Sequence, residues 1–243
     1  MKMIPMIVVA GGKGTRLYPY TKTTPKSMLL FNEKPFIQYQ LELLKRAGFT
    51  HVHLCLGELA EPIVDFINSN SFDLNVTIQV DKKPLGTGGA VKKAIQIMNY
   101  DYFFVMYGDS YLPINYRDIQ HYFFYTSECL GAGGLMTIYK NGDRYGKSNV
   151  QYNNNKIIDY NKDNPTDLMK YIDYGLSILS KVTFGFIKHR EKFDLSLAHN
   201  HLLKLGLKLG TTMLDSFAVN ERFYEVGSPQ GIADFAQYVE RNL

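Results

Sequence analysis

The run Ala10-Gly11-Gly12-Lys13-Gly14-Thr15-Arg16-Leu17 follows an apolar stretch from Ile4 to Ala10 and is closed by Pro25-Lys26. Glycines let backbone N–H groups approach a polyphosphate without obstruction, and Arg16 and Lys26 would add charge-assisted hydrogen bonds. The run fits neither common phosphate template. A dinucleotide fingerprint needs Gly-x-Gly-x-x-Gly opening a helix, whereas position 17 is Leu. A P-loop needs Gly-x-x-x-x-Gly-Lys-Ser/Thr, which is absent. Taken alone, these glycines read first as a surface turn with exposed basic residues.

Further segments could carry chemistry. Asp109 ends the apolar stretch Tyr102 to Tyr107; by itself it is a turn residue capping the next element. Pro84-Leu85-Gly86-Thr87-Gly88-Gly89-Ala90 reads as a turn and helix entry. Lys162 follows the strand pattern Lys156 to Tyr160, where a lone lysine is usually solvated. The last two are Asp173-Tyr174-Gly175 and Tyr224-Glu225-Val226-Gly227. Other features drop out. His51 and His53 alternate on a strand, His199 and His201 point apart on a helix, and neither pair has zinc-type companions. No serine sits in a Gly-x-Ser-x-Gly elbow.

The full string Gly-Gly-x-Gly-Thr-Arg-Leu, with Pro19, Thr21 and Pro25-Lys26, strongly resembles the signature of the sugar-1-phosphate nucleotidylyltransferases. The resemblance runs along nearly the whole chain through the segments just quoted. It implies a Rossmann-like α/β fold: a three-layer sandwich around a mainly parallel mixed sheet, forming a single domain over residues 1–243. Residues 1–110 would be the nucleotide-binding half. Residues 111–243 would be the sugar-phosphate-binding half with a C-terminal helix.

The implied reaction is attack by the phosphate oxygen of a sugar 1-phosphate on the α-phosphorus of an NTP, with release of pyrophosphate. The implied catalytic set is Arg16, Lys26 and Asp109. Nucleotide contacts would come from Gly11, Gly12, Gly14, Thr15 and Arg16, and from Pro84, Gly86, Thr87 and Gly88 beside the base. Sugar-phosphate contacts would come from Lys162, Asn149, Asp173 and Gly175. Mg²⁺ would be held by Asp109 and Glu225, a carboxylate pair of the kind that suits this hard cation. Glu225 stands where the family usually has Asp, and Asn161 where a Glu often contacts sugar hydroxyls, with Pro delayed to Pro165.

The loop form Pro84-Leu85-Gly86-Thr87 is similar to that of mannose and heptose 1-phosphate guanylyltransferases, which favours GTP. It also resembles muramic-acid-type uridylyltransferases, so UTP- or CTP-dependent transfer, including to a non-sugar phosphate, stays open. A non-catalytic sensor of the same fold is the alternative of another class. The retained Arg16, Lys26 and Asp109 argue against it. The chain ends soon after its last expected helix, which implies neither the β-helix nor the acetyltransferase activity attached to some members.

The elements that must position these residues follow from periodicity. Strands are expected at Ile4–Ala10, His51–Leu56, Leu74–Val80 and Tyr102–Tyr107, alternating with helices from Pro35 to before Gly48, Ala60–Ile67 and Ala90–Met98. Alternation of this kind gives a parallel sheet covered on both faces. Beyond Asp109 the expectation is a helix over Tyr116–Thr126, a strand Gly134–Tyr139 and a hairpin across Asn153-Asn154-Asn155. An extended segment Ile172–Leu179, a helix Leu195–Leu205 and a last helix opened by Ser228-Pro229 complete it.

Composition agrees with a packed enzyme. The 243 residues are 45% hydrophobic with 18 Tyr and 15 Phe, enough to fill a large core. The net charge of +4 comes from scattered lysines rather than a like-charge run, which excludes a dedicated nucleic-acid binder. No stretch reaches the ~18 apolar residues of a membrane helix, and the N-terminal run lacks a cleavage region, so a soluble protein is expected. Cys55 and Cys129 read as buried free thiols, which implies a reducing, cytoplasmic setting. The oligomeric state is not encoded in any pattern.

Overall fold

A computed structural model describes residues 1–12, 14, 17, 24–187 and 189–243. In chain order, β1 (Met6–Ala10) is followed by a turn of 3-10 helix at Lys26–Met28 and a small ribbon of β2 (Leu30–Phe31) and β3 (Lys34–Pro35). Then come α1 (Phe36–Arg46), β4 (His51–Leu56), α2 (Glu61–Ser69), β5 (Asn75–Val80), α3 (Gly86–Ile97) and β6 (Tyr102–Tyr107). The second half holds β7 (Ser110–Tyr111), α4 (Tyr116–Leu130), β8 (Gly134–Lys140), β9 (Val150–Asn153), β10 (Lys156–Tyr160) and β11 (Tyr171–Ser180). It closes with α5 (Val182–Gly185), α6 (Ser196–Leu209), β12 (Leu214–Val219), β13 (Tyr224–Glu225) and α7 (Pro229–Asn242).

Nine strands among the described residues form one sheet, ordered β10-β9-β11-β6-β1-β4-β5, with β8 joined to β11 and β12 to β8. The pairs β6-β1, β1-β4 and β4-β5 are parallel, while β11 runs antiparallel to β6 and to β8. Period-2 alternation divides each central strand between two cores. Met6 and Val8 of β1 pack with Val52, Leu54 and Phe104 against Ile37, Leu41 and Ile63 of α1 and α2 and Phe123 of α4. Ile7, Val9, Phe103 and Val105 face the other way, onto Val91 and Ala94 of α3 and Ala198 and Leu202 of α6. The result is the expected three-layer sandwich.

The chain moves from β1 outward to β4 and β5, then returns to place β6 on the other side of β1. Ligands of open α/β sheets bind at such a reversal, outside the carboxyl ends of the strands. Val9 is level with Tyr107 in the β1–β6 register, and the Gly108 amide donates to the Val9 carbonyl at 2.9 Å. That register brings the glycine turn after β1 beside Gly108-Asp109. Gly108 is required there, because a Cβ would fall 2.8 Å from Ala10 Cα.

Three sequence expectations need correction. α3 begins at Gly86, not Ala90. The Phe193 carbonyl accepts from the Gly88 and Gly89 amides and holds the glycine-rich segment in its first turn. β12 was not expected because Asp215 and Ser216 interrupt its apolar pattern, yet it pairs parallel with β8 along its length. Cys129 is exposed rather than buried, on the outer face of α4, whereas Cys55 is buried as expected.

Candidate active site

Lys26 enters the site from the 3-10 turn that follows Pro25. Its Nζ lies 2.9 Å from Asp109 Oδ2, with both side chains partly open to solvent. Asp109 follows β6, and two features hold its turn. Gln40, buried on α1, donates from Nε2 to the Ser110 carbonyl at 2.8 Å. The Asp109 carbonyl accepts from the Val226 amide at 2.9 Å. That last bond continues a two-strand ribbon in which Glu225 pairs with Ser110 and Tyr224 with Tyr111. The ribbon sets Glu225 beside Asp109. Behind it, α7 is capped by Ser228, whose Oγ accepts from the Gly231 amide at 3.1 Å. Gly231 sits so tightly on the Glu225 carbonyl that any side chain there would overlap it.

Lys162 is fixed on the other face of the same strand end. Its Nζ donates to the Tyr107 hydroxyl at 2.8 Å and lies 3.4 Å from Asp173 Oδ2. Asp173 Oδ2 also accepts from the Tyr160 hydroxyl at 2.8 Å, and Oδ1 accepts from the Gly175 amide at 3.0 Å. The Asp173 amide in turn donates to Asn149 Oδ1 at 2.9 Å. Burial alone would raise the Asp173 pKa, but Lys162, His199 and the donated hydrogen bonds hold it below its ordinary value. Burial would lower that of Lys162, but Tyr107, Asp173 and Asp194 raise it above the usual range, so the ammonium persists. Asp173 is 3% exposed and its oxygens are engaged. Its geometry is that of a group behind Lys162, not one facing a sugar. Gly175 has φ +92°, and its missing side chain leaves room against the Tyr107 ring.

The loop expected beside the base is anchored from behind. Thr87 donates its hydroxyl to Asp194 Oδ2 at 3.0 Å and accepts from the Leu195 amide at 2.8 Å. The Gly88 amide is bonded to Phe193, and Gly86, with φ +70°, lies close under the Phe193 carbonyl. Thr87 and Gly88 therefore join α3 to the start of α6. Beside Leu85 opens a pocket of about 500 Å³ that also touches Asp81, Lys82, Lys83 and Lys93. Asp81, at the end of β5, is buried and accepts from Lys93 at 2.6 Å.

Gly11, Gly12 and Gly14 lie in the turn after β1, Gly14 with φ +64°. Thr15 and Arg16 lie outside the described residues. The structure thus brings Lys26, Asp109 and Glu225 together on one side of the β6 end, and Lys162, Asp173, Asn149 and Gly175 on the other. Sequence reasoning missed Gln40, Tyr107, Tyr160 and Asp194. Their only local signal was polarity inside apolar patterns.

For a divalent cation the residues available are the Asp109 carboxylate and, on the strand paired beside its turn, Glu225. Mg²⁺ is commonly held by one or two carboxylates completed by phosphate oxygens and water, so the residues fit that ion. Among the described residues no group of three or more His, Cys, Asp or Glu side chains forms a fuller metal cage.

The chain belongs to the nucleotidyl transferase family, whose profile matches residues 5–240. It is a nucleotidyltransferase. It is 27% identical over 231 residues to a D-glycero-alpha-D-manno-heptose 1-phosphate guanylyltransferase of Campylobacter jejuni, covering 94% of this chain and 97% of that one. It is 29% identical over 191 residues to the mannose-1-phosphate guanyltransferase of Schizosaccharomyces pombe, covering 76% of this chain but only 52%, about half, of that one. The crystal structure of HddC from Yersinia pseudotuberculosis complexed with GMP-PN superposes with a TM-score of 0.76 at 26% identity, covering 98% of this chain and 100% of that one. No helix among the described residues is long and apolar enough to cross a membrane.

Proposed function

We propose that this nucleotidyltransferase moves a guanylyl group from GTP to a mannose- or heptose-type sugar 1-phosphate, releasing pyrophosphate and forming a GDP-sugar. The observation that carries the proposal is the pair of ammonium groups on one strand end. Lys162 is held by Tyr107 and Lys26 by Asp109, two positions apart on the chain. Two anionic reactants must meet there, and two fixed cations on either side of the strand end offset their repulsion.

Lys162 holds the acceptor phosphate, already ionised at neutral pH, so no side chain need remove a proton. Its oxygen attacks the α-phosphorus in line, and the bond to pyrophosphate breaks on the opposite side. Lys26 neutralises charge gathering on the α-phosphate oxygens. Arg16 and the amides of Gly11, Gly12 and Gly14 hold the departing β- and γ-phosphates. Asp109 and Glu225 hold Mg²⁺, which when bound draws charge from the phosphate oxygens.

Guanine is favoured by the loop form Pro84-Leu85-Gly86-Thr87, which resembles that of mannose and heptose 1-phosphate guanylyltransferases. The relatives named above, both guanylyltransferases, point the same way. The test is pyrophosphate release over a matrix of four NTPs against mannose, heptose and glucose 1-phosphates and a non-sugar phosphate such as phosphocholine. Fastest release with GTP and a mannose- or heptose-type acceptor is expected. A different best pair, or release independent of any acceptor, overturns the proposal.

A further inference from the structure

Tyr107 occupies a position that the reaction scheme leaves without a role. It is the last residue of β6, and its side chain lies on the sheet face covered by α3 and α6, beside Lys162. The Lys162 ammonium is 2.8 Å from its hydroxyl and 4.9 Å from its ring centroid, with the Tyr160 ring 5.8 Å away on another side. A free lysine side chain is strongly hydrated and samples many rotamers, and ordering it costs conformational entropy. Here the fold has already ordered it.

The chemistry of the partner matters as much as its position. A second carboxylate in place of Tyr107 would cancel the charge an incoming phosphate needs. A phenol, un-ionised at neutral pH, does not: it accepts from the ammonium without neutralising it. An ammonium has three N–H donors. One goes to Tyr107 and one points towards Asp173, which leaves the third for a ligand.

We propose that Tyr107 is the positioning residue for the acceptor: its hydroxyl pins Lys162 to the strand end that carries Asp109, so that the acceptor phosphate arrives in a fixed relation to the metal-site carboxylate. The proposal rests on Lys162 being the acceptor-phosphate cation. It goes further in assigning the selectivity for the acceptor, as against the nucleotide, to a residue that touches neither.

The experiment is a double-mutant cycle on Tyr107→Phe and Lys162→Ala, with KM for acceptor and for GTP measured separately at saturating co-substrate. Tyr107→Phe keeps the ring and its packing, and removes one hydroxyl. The expected result is an acceptor KM raised about tenfold, the GTP KM and melting temperature unchanged, and no further loss when Tyr107→Phe is added to Lys162→Ala. If Lys162→Ala raises the acceptor KM but Tyr107→Phe does not, or if the two losses add, the role of Tyr107 is overturned while the reaction scheme stands. If Lys162→Ala leaves the acceptor KM unchanged, the assignment of Lys162 fails, and the role of Tyr107 with it. Equal rises in both KM values for Tyr107→Phe also overturn it, as the mark of a merely structural residue.

Discussion

The Nζ of Lys26 stands 2.9 Å from Oδ2 of Asp109, across 83 residues of sequence. One is the cation proposed for the α-phosphate and the other a carboxylate proposed for Mg²⁺. Each is thus set by the other before substrate arrives.

Asp109→Asn should largely abolish turnover and leave the fold intact. The amide retains an oxygen that can accept from Lys26, so the turn after β6 keeps its shape, but the charge that draws Mg²⁺ is gone. Pyrophosphate release across a Mg²⁺ titration, with the melting curve alongside, checks this. Near-normal activity at limiting Mg²⁺ would remove Asp109 from the metal site.

Lys26→Ala should lower kcat/KM by roughly thirty-fold to a thousand-fold, the equivalent of ~2–4 kcal/mol lost at a developing phosphate charge. Lys34→Ala is the control, since Lys34 pairs with Glu42 on the surface. Similar small effects from both would mean that Lys26 is an ordinary structural partner of Asp109.

GTP should support at least tenfold faster turnover than UTP or CTP in direct competition. Each buried polar group left without a partner by the wrong base costs ~1–3 kcal/mol. A preference for UTP or CTP in the native enzyme would refute the base assignment and leave the enzyme class untouched.

Acid should destabilise the protein well before its ordinary carboxylates titrate. His199 is buried against Ser177, and burial lowers its pKa to about 4. In an unfolded chain a histidine titrates near ~6.5. Between those values the unfolded state binds a proton that the native state refuses. Stability is therefore complete above about pH 6.5 and falls as pH drops towards 4, by about 3 kcal/mol. Asp173, whose folded pKa is depressed, adds a loss at lower pH still. Urea midpoints over this range should follow that decline, and His199→Gln should flatten it. An equally steep decline in the variant would acquit His199.

Gly231→Ala should cost about 1–3 kcal/mol, because the new methyl group meets backbone at Glu225 that cannot rotate away. It should also raise the Mg²⁺ concentration needed for half-maximal rate. A loss of stability without a change in Mg²⁺ dependence would separate Glu225 from the metal.

The nucleotide half was legible because its signals are local. His51–Leu56 and Tyr102–Tyr107 match their expected bounds, since each is an apolar run punctuated on both sides. The first turn of α3 was not legible, because glycine is a poor helix former and what holds Gly88 and Gly89 in place is the distant Phe193 carbonyl. The same distinction holds at the site. Lys26, Asp109 and Lys162 stood out through a family signature, whereas Tyr107 and Tyr160 looked like core aromatics. Only the meeting of β6, β10 and β11 turns their hydroxyls towards Lys162 and Asp173.

The ribbon pairing Glu225 with Ser110 also fixes an order of events during synthesis. A chain leaving the ribosome presents β1, Lys26 and Asp109 early, when the parallel strands around them can already pair. Glu225 emerges far later, and the helix that backs it later again. A nascent chain thus holds the Asp109 turn before the strand that pairs against it exists. If Glu225 serves the metal as proposed, a chain arrested before the ribbon closes should pair its parallel strands and yet turn over no substrate.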